Sequence, residues 1–229
     1  MSQAPIKKLA SQLQIPFLVH FTRAENLPSI MQHGLYPIAR IGEIGVRPQI
    51  NDEVRLDGRR AGTSVSIAFP NCLMFYRYRR DYESVAWVVL GLKPEILWEK
   101  RCAFCCHNAA DARISRLPLE ALTTEASFRG MFDEIDECKT REEQRLKPFD
   151  PTDVQAEVMV LDVIEPEYIY AAAFNSTAVR DVNAHLLEPV WKFKDERFCA
   201  VTSHSSRYES WLPIRLPAVR SRVRVGASE

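Results

Sequence analysis

The stretch formed by residues 147–164, KPFDPTDVQAEVMVLDVI, places the strongest constraint on the fold of this chain. Pro148 and Pro151 keep its first part out of a helix, because proline has no backbone N–H and fixes its own φ. The apolar run at 158–164 is typical of a buried strand. Glu157 stands at the junction, where a rigid strand could hold its carboxylate in surroundings of low polarity. A glutamate at a strand start more often simply faces solvent, so its interpretation depends on the rest of the chain.

Length and composition indicate an ordinary globular chain. Its 229 residues predict a single domain over 1–229, in which 213–229 is a flexible tail. The apolar fraction of 46% and the charged fraction of 26% are average values. Thirty basic and thirty acidic residues cancel, so any basic surface must be local. Strands interspersed with short helical patterns predict an α+β fold.

The six cysteines do not form the pattern of a disulfide scaffold in a chain of this length. Without a recognisable signal peptide, we expect reduced thiols and a cytoplasmic location. No apolar run approaches the ~20 residues that span a bilayer, so no membrane contact is predicted. Cys102, Cys105, Cys106 and His107 offer too few well-spaced ligands for a structural zinc, and no metal is predicted.

The first third of the chain predicts a helical lead-in at 1–15 and then a strand at 17–22 that carries His20. Asn26 is a candidate cap for a following helix that Gly34 ends. His20 alone is more often a hydrogen-bonded core residue than a functional one. Residues 38–62 predict a long, charged surface loop, because they hold few large apolar side chains and four glycines.

Further elements are predicted along the rest of the chain. Strands are predicted at 63–69, 84–92, 168–174 and 198–202, and helical segments at 70–80, 93–98, 117–138 and 176–187, the last capped by Ser176. Residues 140–146 are compatible with helix or loop. The run Tyr76-Arg77-Tyr78-Arg79-Arg80 interleaves aromatic rings with cations, as single-strand grooves do, although a solvated helix end would look similar.

Several motifs resemble those of the DarT-type DNA ADP-ribosyltransferases, the toxins of a toxin–antitoxin pair. These motifs are Val19-His20-Phe21-Thr22, then Glu25-Asn26-Leu27-Pro28-x-Ile30, Gly34-Leu35 and finally Gln155-Ala156-Glu157-Val158. The resemblance implies a split mixed sheet with short helices and a long loop on the NAD side. It also implies NAD as co-substrate without a metal, single-stranded DNA as acceptor and a macrodomain antitoxin as partner.

Carried onto this chain, the resemblance makes Glu157 the catalytic glutamate. His20, Thr22, Asn26 and Leu27 would bind NAD. The family also uses an arginine in the long loop, for which Arg55 is the choice here over Arg59 and Arg60. The residues predicted to contact the DNA substrate lie in the aromatic and arginine run of 74–80 and in the loop just before Glu157: Met74, Tyr76, Arg77, Arg79, Arg80, Arg145, Lys147 and Gln155.

These residue types suit the chemistry. Breaking the nicotinamide–ribose bond leaves positive charge on the ribose, which a fixed carboxylate can stabilise. An arginine can bind the pyrophosphate with two parallel hydrogen bonds, and a histidine can bind a ribose hydroxyl. The predicted function is transfer of ADP-ribose to thymine or guanine in single-stranded DNA. The alternatives are an RNA or protein acceptor, or a binding module that leaves NAD intact.

Overall fold

The computed structural model describes residues 3–49 and 61–187 of the chain. Within these residues six strands form one sheet: β1 Leu18–Arg23, β2 Thr63–Ile67, β3 Trp87–Leu92, β4 Cys102–Cys105, β5 Glu157–Val160 and β6 Ile169–Phe174. The helices are α1 Ala4–Leu13, α2 Leu27–His33, α3 Cys72–Asp81, α4 Ile96–Glu99, α5 Ala112–Ser115, α6 Leu119–Leu122, α7 Glu125–Gly130 and α8 Thr177–Leu187. The α+β class predicted from the sequence is confirmed.

The sheet has the strand order β4-β5-β2-β1-β3-β6, and its five strand pairs are all antiparallel. The expectation of a mixed sheet is therefore corrected for the described residues. The sheet is nevertheless split, because β1 and β2 pair at only two positions, Leu18 with Ile67 and Val19 with Ser66. On either side of this short seam, β1 pairs with β3 over six positions and β2 with β5 over three.

Strand β5 lies between β4 and β2, which explains its unbroken apolar sequence. All four of its residues are buried. It is shorter than the predicted strand at 158–164, because the chain turns away where Asp162 accepts hydrogen bonds from Arg101. Ile164 then forms an isolated bridge with Leu35.

Strands β2 and β3 are also shorter than predicted. Ala68 adopts φ 58°, a left-handed conformation that ends β2 before Phe69. Ahead of β3, a turn in which the Val85 N–H binds the Tyr82 carbonyl occupies the start of the predicted strand. The helical region predicted at 117–138 contains only α6 and α7, with turns after Gly130.

The helices cover the sheet and complete its core. Apolar residues of α1, α2 and α7 join those of all six strands in one buried cluster. A second cluster lies beneath α3, where Phe75 and Tyr78 pack on Trp87 of β3. Ser176 caps α8 as predicted, with its Oγ accepting the Val179 N–H at 3.2 Å.

Two predicted elements lie outside the described residues: the strand at 198–202 and the tail at 213–229. The segment around Arg55 also lies outside them.

Candidate active site

Glu157 is the first residue of β5 and pairs with Cys105 at the end of β4. It is only 5% exposed, so it does not face solvent as an average strand-start glutamate does. Burying a carboxylate is costly unless donors replace the lost water. The surroundings of Glu157 supply such donors.

Within the part of the chain that the structure describes, four groups donate hydrogen bonds to the Glu157 carboxylate. On Oε1 the donors are the side-chain amides of Asn108 at 3.0 Å and Asn71 at 3.5 Å. On Oε2 they are the Ser64 hydroxyl and the Ala109 backbone N–H, both at 3.4 Å. These contacts come from three separate parts of the chain and fix the position of the carboxylate.

The side-chain amides of the two asparagines cannot exchange their oxygen and nitrogen positions without losing a hydrogen bond. Asn71 caps α3, and its Oδ1 accepts the Met74 N–H at 3.1 Å. Asn108 Oδ1 accepts the Ala110 N–H at 2.9 Å. Because each oxygen is held by a backbone donor, each NH₂ group is directed at Glu157. Both residues therefore act as oriented donors to the carboxylate.

His20 lies on β1, on the other side of the seam from Glu157. Its Nδ1 is 2.9 Å from the Ser64 carbonyl oxygen, which can only accept, so Nδ1 carries the proton. The same Ser64 donates its hydroxyl to Glu157. One residue of β2 thus connects the predicted NAD-side histidine with the predicted catalytic glutamate.

Asn26 does not cap α2 with its side chain, contrary to expectation. Its Nδ2 donates to Thr22 Oγ1 at 3.0 Å and to the Gln49 carbonyl at 2.9 Å, and its Oδ1 accepts the Gln49 N–H at 2.9 Å. Gln49 is the last described residue before the segment that contains Arg55. Asn26 therefore ties the start of that segment to β1.

A cleft opens at the seam and brings several predicted residues together. His20, Thr22, Asn26, Met74 and Glu157 all line it. One wall is apolar and comes from α2 and the segment after it: Ile30, Leu35, Tyr36, Ile38, Ile41, Ile44, Val46 and Pro48. An apolar wall with a few convergent polar groups is typical of a small-molecule site.

Leu27 was expected at NAD, but the structure places it elsewhere. It is 0% exposed and belongs to the hydrophobic core, not to the lining of the cleft. Leu27 is the first residue of α2 and lies on the face of that helix that packs against the sheet. Its contribution is structural.

Helix α3 presents two different faces. Met74 and Tyr78, four residues apart, line the cleft. Tyr76, at 69% exposure, and Arg77 and Arg79 lie outside. Neither of these two arginines makes an ion pair within the described part of the chain.

Arg80 differs from its neighbours. Its guanidinium binds Asp81 through two nitrogens, at 2.9 and 2.8 Å, and this pairing raises its pKa. Arg80 is therefore less available to a phosphate than Arg77 or Arg79.

The turns at 139–156 are stabilised by hydrogen bonds within the segment itself. Arg141 donates to the carbonyls of Lys147 and Asp150, both at 2.8 Å, and to Thr152 Oγ1 at 2.9 Å. The Thr152 hydroxyl in turn donates to the Asp133 carbonyl at 2.7 Å. The Arg141 side chain thus stabilises the backbone of this segment.

Three predicted substrate residues lie in the same segment. Arg145 and Lys147 are exposed, whereas Gln155 is half-buried. The Gln155 N–H binds Asp153 Oδ1 at 2.8 Å, and Gln155 is not among the residues that line the cleft.

The cysteine-rich segment shows no metal geometry. Cys102 and Cys105 are buried on β4, and burial raises the pKa of the Cys102 thiol. His107 is paired with Asp153. In residues 3–49 and 61–187 no three His, Cys, Asp or Glu side chains come together as metal ligands.

Among the helices that the structure describes, none has the length and apolar character to cross a membrane.

A buried glutamate and a strand histidine line one cleft at the seam of a split sheet, which is the arrangement expected above from the resemblance to the NAD-dependent ADP-ribosyltransferases. The comparison with family models agrees. The model described as "ssDNA thymidine ADP-ribosyltransferase, DarT" matches residues 19–197, so the chain belongs to the DarT family.

Two solved structures resemble this chain. For Thermosipho africanus DarTG in complex with ADP-ribose, the TM-score is 0.49 at 15% identity, covering 76% of this chain and 47% of that one. This chain thus corresponds to about half of the Thermosipho chain. For DarT of Thermus sp. 2.9 in complex with NAD+, the TM-score is 0.44 at 14% identity, covering 80% and 93%. No curated protein matches the chain significantly.

Ser64, Asn71 and Asn108 were not identified from the sequence as site residues. Asn71 had a detectable signal, since it follows a proline at the start of a predicted helix, where an asparagine often caps. Asn108 and Ser64 had none, because their role depends on a residue 49 and 93 positions away, respectively.

Proposed function

We propose that this chain transfers ADP-ribose from NAD+ to a thymine base in single-stranded DNA, with Glu157 as the catalytic carboxylate. The observation that carries the proposal is the buried Glu157 carboxylate, held by four donors in a cleft that His20 and Thr22 also line. Family membership supports thymine in single-stranded DNA as the acceptor, because the description of the family model names thymidine in single-stranded DNA.

The reaction breaks the bond between nicotinamide and ribose, and nicotinamide leaves with the bonding electron pair. Positive charge then develops on the ribose, and the Glu157 carboxylate stabilises it. The acceptor nitrogen of the base must give up its proton as it attacks, and the same carboxylate can take that proton. Because the carboxylate is already held by donors, it needs little reorganisation during the reaction.

On the NAD side, His20 and Thr22 lie where β1 diverges from β2. With Nδ1 bound to the Ser64 carbonyl, a neutral His20 presents Nε2 as an acceptor, which suits a ribose hydroxyl. Arg55 is proposed to bind the pyrophosphate. The hydrogen bonds of Asn26 to Gln49 anchor the segment that leads to Arg55, six residues further on.

On the DNA side, the outer face of α3 is the proposed path. Tyr76 offers a ring for base stacking, and Arg77 and Arg79 offer cations that no described carboxylate neutralises. Met74 on the same helix lines the cleft, so the strand would pass close to Glu157. Arg145 and Lys147, exposed in the turns before Glu157, form a second candidate path. A base must leave its stack to reach a buried carboxylate, which favours single strands.

The decisive experiment uses NAD+ and a set of short oligonucleotides analysed by mass spectrometry. The oligonucleotides carry one thymine, one guanine or neither in an adenine–cytosine background, with duplex and RNA versions alongside. The expected result is a gain of one ADP-ribose on the single-stranded thymine oligonucleotide, and none with the Glu157→Gln protein.

Other outcomes would change the proposal. Modification of the guanine oligonucleotide alone would reassign the base. Modification of RNA or protein alone would reassign the acceptor. If NAD+ stayed intact with every acceptor, the chain would be a binding module and the proposal would fail.

A toxin role with a macrodomain antitoxin, in the cytoplasm, is part of the same proposal. Transfer of ADP-ribose to DNA would block its replication, so cells expressing the wild type should grow poorly and cells expressing Glu157→Gln normally. Co-expression of an ADP-ribose-removing macrodomain should restore growth. Equal growth with both proteins would contradict the toxin role.

A further inference from the structure

The last paired position of the β4–β5 ladder is Cys105 with Glu157. Beyond this position β4 and β5 are no longer paired. The segments that continue from them must nevertheless hold the catalytic carboxylate in place. Residues 107–109 follow β4, and residues 153–156 precede β5. The structure joins these two segments by a buried side-chain pair.

His107 and Asp153 form this pair, here called the clasp. His107 Nδ1 is 2.7 Å from Asp153 Oδ2, and the two side chains are only 8% and 13% exposed. A charged or polar group at such burial is costly unless it is paired. If one partner were removed, the other would be left buried and unpaired, which would destabilise this end of the ladder.

Each partner of the clasp is connected to Glu157 by a short path. His107 precedes Asn108 and Ala109, both of which donate to the carboxylate. Asp153 accepts the Gln155 N–H through Oδ1 at 2.8 Å, and its carbonyl accepts the Ala156 N–H at 2.9 Å. The turn that Asp153 organises ends at Glu157 itself.

These contacts close a ring that runs through Glu157, Asn108, His107 and Asp153 and back along the chain to Glu157. Opening the ring at the clasp would leave the four described donors to the carboxylate present but would no longer fix two of them, Asn108 and Ala109, relative to β5. A displacement of about 1 Å at a catalytic group can cost ~10²-fold in rate. The ring therefore controls geometry rather than supplying chemistry.

We propose that His107 and Asp153 are positioning residues, which set the Glu157 carboxylate by holding Asn108 and the turn before β5 in register. The inference rests on the proposed function, in which Glu157 carries the catalysis. It adds a role for two residues that are not among the four described donors to the carboxylate.

The test compares the clasp with a matched control at the other end of the same ladder. There, Arg101 Nη2 pairs with Asp162 Oδ1 at 2.9 Å, just beyond the position where Cys102 pairs with Val160. His107→Ala and Asp153→Ala should each lower kcat by ~10²-fold with little change in KM for NAD+. Arg101→Ala should leave kcat unchanged.

Two further variants separate positioning from folding. His107→Asn keeps a donor near the place of Nδ1 and should recover part of the lost kcat. The double variant His107→Ala with Asp153→Ala should lose no more than either single variant, because the two residues act as a unit. A lowered melting temperature with an unchanged kcat of the folded protein would overturn the proposal, as would additive losses.

A readout that does not need transfer keeps this test independent of the proposed function. The clasp variants should speed amide hydrogen exchange at Ala109 and Ala156, and the Arg101→Ala control should not. If wild-type protein modifies no oligonucleotide, the proposed function fails while exchange still decides whether the clasp holds this end of the ladder. Exchange at wild-type rates in the clasp variants would overturn the inference by itself.

Discussion

Replacing Glu157 by glutamine removes the charge while keeping the shape of the side chain. The two oxygens are not equivalent as sites for the new NH₂ group. At the Oε1 position it would face the fixed NH₂ groups of Asn71 and Asn108. At the Oε2 position it would face the Ser64 hydroxyl, which can rotate to accept, and the Ala109 N–H, which cannot. The second arrangement is therefore preferred.

In that arrangement one buried backbone donor, the Ala109 N–H, loses its acceptor. An unsatisfied buried donor costs about 1–3 kcal/mol. A domain of this kind has roughly 5–15 kcal/mol of stability, so even the least favourable combination leaves more than about nine-tenths of the protein folded. Unfolding can then account for only a small part of any lost activity. Loss of a catalytic carboxylate, by contrast, typically costs ~10²–10⁴-fold in rate.

The assay is a single-turnover transfer of ADP-ribose to a thymine oligonucleotide, followed by mass spectrometry, with thermal unfolding measured on the same samples. Asp162→Asn is the control, because Asp162 also accepts several hydrogen bonds but lies at the opposite end of the β4–β5 ladder. We expect the control to lose some stability and no rate. If folded Glu157→Gln transfers within tenfold of the wild type, Glu157 is not the catalytic carboxylate.

Three further predictions test other parts of the site. Arg55→Ala should sharply reduce transfer and Arg55→Lys should not restore it, because lysine lacks the planar fork; a silent Arg55→Ala would move the role to another arginine of that loop. Arg77→Ala with Arg79→Ala should weaken oligonucleotide binding and make the slope of log K against log salt shallower by about 1.4, since two phosphate contacts are lost. Arg80→Ala is the control there, because Asp81 already neutralises Arg80, and an unchanged slope in the double variant would place the DNA elsewhere. Elemental analysis should find no stoichiometric zinc, and one zinc per chain would contradict the metal-free prediction.

Much of the architecture could be predicted because its signals are local. The apolar run that contains β5, the helix stop at Gly34 and the Ser176 cap all depend on neighbours within a few residues. The ends of the strands were predicted less accurately, because they depend on residues that are distant in sequence. Asp162 leaves the sheet to bind Arg101, which is 61 positions away in sequence.

Asn26 shows how a correct location can come with an incorrect role. Its position at the start of α2 was predicted, and asparagine is among the best capping residues. The structure gives its amide a different set of partners, because both backbone groups of Gln49 lie within 2.9 Å. Nothing in the sequence near Asn26 indicates that a residue 23 positions later comes this close.

Strand β2 explains most clearly why the site was only partly predictable. The alternation in 63–69 correctly indicated that Val65 and Ile67 face the core, and it left Ser64 and Ser66 on the polar face. In the structure that polar face borders the cleft, where Ser64 contacts Glu157 and Ser66 Oγ accepts the Asn71 N–H. A polar strand face has the same sequence pattern whether it meets water or a ligand cleft. Only the divergence of β1 from β2 distinguishes the two cases, and it arises from pairing between strands more than forty residues apart.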